Sequence, residues 1–96
     1  MGGRVRVVVD ERVTALHPQV SELDVIHAVT FAVCHQVRLG TEPVRYVGIG
    51  PGLDGRVLQW IAVRMQGADD WYVFHAMPVT EKVLVELGIK KGARRG

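Results

Sequence analysis

The sequence predicts an α+β domain: a three- or four-stranded antiparallel sheet with helices packed on one face. Three observations carry this expectation. Runs rich in β-branched and aromatic residues occur near the start and then in close succession from Val44 onward. Short Gly- and Asp-containing loops separate the later runs, and such loops join strands as an antiparallel meander. Two helix-start signals, at Ser21 and Thr80, frame the meander.

Residues 4–9 open with Arg4-Val5-Arg6-Val7 alternation and continue in valines, which predicts a strand. Residues 10–16 predict a short helix broken at His17-Pro18. Ser21 is a good N-cap, Asp24 completes a capping box, and Glu22 and Asp24 suit the positive end of the helix dipole. Leu23, Ile26, Val29, Thr30 and Val33 recur at helical spacing, so a helix over 22–36 with that stripe facing the core is expected. After a turn at 40–43, strands are predicted over 44–49, 56–65 and 71–75. They are joined by a hairpin loop at Gly50-Pro51-Gly52-Leu53-Asp54-Gly55 and a second turn at 66–70. Thr80 caps a closing helix over 81–87 that stops at Gly88 and packs beside the Ser21 helix; a basic, mobile tail over 89–96 follows.

Length and composition bound the function. Ninety-six residues make one domain over 1–96, with one core and no room for a separate cofactor module. Hydrophobic residues at 48% and charged residues at 23% describe an ordered chain rather than a disordered one. The net charge of +2 permits a polyanionic partner without demanding one. A single cysteine, Cys34, excludes an internal disulfide and fits a reducing cytoplasm. The histidines lack paired spacing on one element and no carboxylate cluster accompanies them, so neither a metal nor a cofactor is expected.

His75 is the leading functional candidate. It is expected at the end of the strand that runs through Trp71, Tyr72, Val73 and Phe74, with Pro78 ending the ladder shortly after. Strand ends are well positioned, and the loop beyond leaves room for a ligand. The competing reading is a histidine that caps the sheet edge with a hydrogen bond. His17, held before Pro18 beside a helix start, is the second candidate; its bland reading is a loop residue bonded to backbone. His35, read as lying near a helix end, is explained by the dipole alone. His27 borders the apolar stripe.

At this point the chain resembles a known family. Arg45-Tyr46-Val47-Gly48-Ile49-Gly50 followed by Asp54-Gly55-Arg56-Val57-Leu58, in this order of elements, resembles the BrnT family, small RelE-like toxins of bacterial type II toxin–antitoxin pairs. His17-Pro18-Gln19-Val20-Ser21 with Asp24 is similar to that family's Lys/Arg-His-Gly-Val-Ser motif. His75-Ala76-Met77-Pro78 resembles the ending of a related actinobacterial branch. The resemblance implies a metal-free endoribonuclease neutralised by a small antitoxin, often one with a ribbon-helix-helix DNA-binding domain. In the better-known members the last strand ends Ser-Ala-Arg. Here the arginine is absent and a histidine stands two positions earlier, on the same face by alternation; one reading has His75 serve in a nearby functional space, the other makes the chain a catalytically silent binding module on the same fold.

Metal-free RNA cleavage requires a base for the ribose 2′-hydroxyl, an acid for the leaving oxygen and cations for the transition-state charge. His75 suits a proton-transfer role and Arg56 suits phosphate, its planar fork matching phosphate oxygens. This assignment requires the two to converge on one hollow. Arg56 paired with Asp54 on an exposed hairpin is the alternative. Arg45, Arg64 and Lys82 are candidates for a basic strip along RNA backbone. Tyr46, Trp60, Trp71 and Tyr72 are read chiefly as core. The exposed edge at 4–9 invites pairing with another chain, so a homodimer or a toxin–antitoxin complex is expected.

Overall fold

Among the described residues five strands, not three or four, form the sheet. A computed structural model of the chain describes residues 6–65 and 70–90. The elements are β1 (Val7–Val9), α1 (Glu11–Leu16), α2 (Glu22–Thr30), β2 (Cys34–Arg38), β3 (Arg45–Pro51), β4 (Val57–Arg64), β5 (Trp71–Pro78) and α3 (Glu81–Glu86). The strands lie in the order β1-β5-β4-β3-β2. β1 runs parallel to β5, and the other pairs are antiparallel, so the sheet is mixed. Residues 66–69 of the second expected turn and 91–96 of the expected tail lie outside the described residues.

Most start signals act as predicted. Ser21 accepts from the Asp24 backbone while Asp24 returns a bond to the Ser21 backbone, a complete capping box. Thr80 accepts from Val83 N and starts α3, and Asp10 caps α1 by accepting from Arg12 N. The end of the Ser21 helix is different. It stops at Thr30, with Phe31 as C-cap, and Val33 N already donates to Ile49 O. Residues 34–38 are therefore a strand along β3 instead of a helix tail. Val33 continued the helical period by coincidence, and no Gly or Pro marks the break.

The buried face of α2 also departs from expectation. Val25, Ala28 and Val29 are buried, whereas Leu23 is 64% exposed. Gly50 decides the matter. A Cβ there would lie 2.0 Å from the Ala28 carbonyl oxygen, so the α2 backbone rests directly on β3 at a residue with no side chain. Only the face carrying the small Ala28 permits that approach. Gly48 plays the same part for Trp60, whose ring occupies the space a Cβ would fill.

Strand alternation divides two cores. Leu58, Trp60 and Ala62 of β4 join Val13, Val25, Ala28 and Val29 on one face. Val47 and Ile49 meet Val83 of α3 and its C-cap Leu87 on the other, with Ile61 packed against them. Helices thus cover both faces, and α2 and α3 do not pack together as expected. A buried Leu-sized side chain contributes roughly 1.5–3 kcal/mol, so Leu58 and Trp60, each 1% exposed, anchor the first core.

β5 continues past His75 through Pro78, which still pairs with Leu58. Ile61 pairs with His75 but Ala62 pairs with Val73, leaving Phe74 as an extra residue. His75 therefore lies within a bulged strand and not at a strand end.

Candidate functional site

The structure brings His17 and His75 together. β1 pairs only with Trp71, Tyr72 and Val73, so beyond that point the β5 edge is open to α1. His17, the C-cap of α1, reaches this edge, and its ring lies 6.4 Å from that of His75, edge to face at 87°. His75 is half-buried. Burial pushes its protonation below the ordinary 6.5, and the positive charges of His17 and Arg38 add to the effect. The shift favours the neutral imidazole near pH 7.

Gln59 is the residue that sequence reasoning passed over. It stands among Val57, Ile61 and Val63 on one face of β4, a lone polar side chain in an apolar alternation. It is also the one buried polar residue among those described, 7% exposed. Its Oε1 accepts from Thr80 N at 2.8 Å and Thr80 Oγ1 at 2.7 Å. Its Nε2 stands 3.5 Å from His75 Nε2, the outer limit of a hydrogen bond. Arg38, also unforeseen, forms a forked pair with Glu86 at 2.8 and 3.0 Å and ties β2 to the end of α3.

Arg56 does not join His75. Ile61 opposite His75 packs in the α3-side core, whereas Arg56 Nη2 donates to Gln19 O at 3.0 Å on the side of the α1–α2 turn. Its Nε donates to Asp54 Oδ2 at 2.6 Å. The guanidinium clamps the hairpin loop to the turn that follows His17. Asp24 strengthens the same junction by accepting from Leu53 N, and this bond, with those from Ser21 and the charge of Arg56, holds its carboxyl below the usual range. Two of the three stretches that carried the family resemblance, the one from His17 to Asp24 and the one through Leu53 to Arg56, thus meet in space as a structural joint.

The remaining cations do not form one strip. Arg45 lies over the Phe74 ring, 5.2 Å from its centroid, and pairs across strands with Arg38 on the α3 side. Arg64 lies 4.6 Å over Trp71, whose ring belongs to the α2-side core. Lys82 is exposed on α3. His35 sits on β2, not near a helix end, beside Tyr46, Trp60 and Trp71. His27 is structural, its Nδ1 donating to Pro51 O at 2.7 Å.

Among the described residues no group of three or more His, Cys, Asp or Glu is arranged to hold a metal ion. No helix among them is long and apolar enough to cross a membrane. Compared with known proteins, the chain matches no family model, no curated protein and no solved structure.

Proposed function

We propose that this chain is an endoribonuclease that cleaves RNA without a metal ion, the toxin half of a toxin–antitoxin pair, with His17 and His75 as its reacting side chains. The observation that carries this reading is the approach of the two imidazoles to 6.4 Å from separate elements. Imidazole exchanges protons near neutral pH, as this reaction needs. A base takes the 2′-hydroxyl proton, O2′ bonds to phosphorus, the P–O5′ bond breaks, and O5′ receives a proton. The products are a 2′,3′-cyclic phosphate and a 5′-hydroxyl end. Arg45 and Lys82 on the α3 side attract the RNA backbone, while Arg56 serves by fixing the turn behind His17. The protein acts in the cytoplasm, and a small DNA-binding antitoxin masks it, or a second copy of the chain covers it.

A second reading is favoured by a different observation. Leu23, Ile26, Phe31 and Leu53 line an apolar groove of about 250 Å³ on the outer face of α2, the kind of patch that marks a partner surface. On this reading the chain is a catalytically silent binding module.

Induced expression in bacteria separates the two. The nuclease reading expects growth arrest and RNA fragments with cyclic phosphate ends that persist in chelator, both abolished in His17→Ala and His75→Ala. Toxicity surviving both changes removes the pair from the site. Absence of toxicity together with a stable small-protein complex establishes the module.

A further inference from the structure

Gln59 is a buried amide in a row of apolar residues, and its orientation is dictated by chemistry. Thr80 N can only donate, so the Gln59 atom 2.8 Å from it must be the oxygen. The Thr80 hydroxyl bonds the same oxygen at 2.7 Å and receives Val83 N in turn. The amide nitrogen is thereby turned toward His75, and an NH₂ group can only donate. A hydrogen bond between the two therefore requires the ring nitrogen it faces, Nε2, to be unprotonated.

We propose that Thr80 and Gln59 act as positioning residues that hold neutral His75 in the tautomer with its proton on Nδ1, so that His75 presents a donor and His17 is the base. This rests on the nuclease reading and divides its labour. His17 takes the 2′-hydroxyl proton as the O2′–P bond forms. The His75 Nδ1–H meets the charge that develops on the phosphoryl oxygens, as a neutral imidazole can. When the P–O5′ bond breaks, the proton held by His17 passes to O5′, and both rings return to their starting state.

Long-range ¹H–¹⁵N NMR on the full-length labelled chain, above the protonation midpoint of His75, tests the tautomer directly. The expected result is an Nδ1-protonated ring in the wild type and in Thr80→Ser, and a switch to the Nε2-protonated ring in Gln59→Glu, whose carboxylate accepts. A dominant Nε2-protonated ring in the wild type overturns the proposal even if Gln59→Glu fails to fold. Cleavage supplies the second arm. His75→Gln keeps an N–H donor and should stay within about tenfold of wild type, whereas His75→Ala should lose roughly 10²–10³-fold. Equal loss in both variants overturns the donor role. The Nδ1 tautomer in a chain that cleaves no RNA would sink the nuclease reading while leaving the positioning intact; cleavage with the Nε2 tautomer would do the reverse.

Discussion

Arg56 and His75 lie on opposite faces of the sheet, although Val57, the next residue after Arg56, begins the strand beside β5. The arginine points to the α1–α2 turn and the histidine to the side covered by α3. A mechanism needing both side chains at one phosphate finds no support in this arrangement.

Arg56→Ala should therefore act on the turn and not on His75. Loss of the bond to Gln19 O costs about 1 kcal/mol at most, since the guanidinium is 46% exposed and its pair with Asp54 is screened. The variant should show a slightly lower Tm, perturbed NMR shifts at 17–20 and an unchanged His75 titration. A moved His75 midpoint would place the guanidinium nearer than the structure has it.

Val25 and Leu23 should respond in opposite ways. Val25 is fully buried, so Val25→Ala should cost roughly 2 kcal/mol, whereas Leu23→Ala on the exposed face should change stability by less than about 0.5 kcal/mol. Urea unfolding midpoints check both. A large loss at Leu23 would mean that the outer apolar face is already covered, as by a second copy.

Gly50→Ala is expected to be the most damaging small substitution in β3. Its Cβ meets the Ala28 carbonyl, a backbone atom that cannot rotate away, and overpacking of this kind costs 3 kcal/mol or so. Gly52→Ala, whose nearest contact is Asp24 Oδ1 at 3.2 Å, should be milder. Thermal unfolding of the two variants side by side gives the comparison.

Stability should change with pH in two separate windows. The folded His75 binds its proton less well than the unfolded residue at 6.5, so unfolding takes up protons there. Stability should be full above about 6.5 and fall as the pH drops through that value toward the lower folded one. Asp10, Asp24 and Asp54 behave in the carboxylate sense. Asp10 is held down by Arg12 and by the Tyr72 hydroxyl that donates to it, Asp24 by Leu53 N, and Asp54 by Arg56 N. Their stabilisation is present above 3.8 and lost below it. His75→Gln should erase the upper window alone, as read by denaturant titration across pH.

The Arg38–Glu86 pair links α3 to the distant edge strand. Both side chains are about two-thirds buried, so Arg38→Gln should cost about 1 kcal/mol after screening and raise the His75 protonation midpoint by removing a like charge. An unmoved midpoint would show that the cation is too far to be felt.

Sequence by itself determined the elements whose signals are local. The caps at Ser21 and Thr80, the turn glycines at 40 and 55 with their positive φ, and the β4 alternation depend on neighbours a few residues away, and each appears where the chain predicts it. Tertiary structure decided the rest. The run 34–38 became a strand because β3 offered a partner, which no local pattern records. The apolar face that α2 buries was chosen by Gly50 across the interface. His75 was visible as a candidate, but its neighbours His17, Gln59 and Arg38 come from three other elements, and a bulge at Phe74 sets the local register of the histidine's strand. Alternation assigns a side chain to a face; only packing between distant segments assigns it to a site.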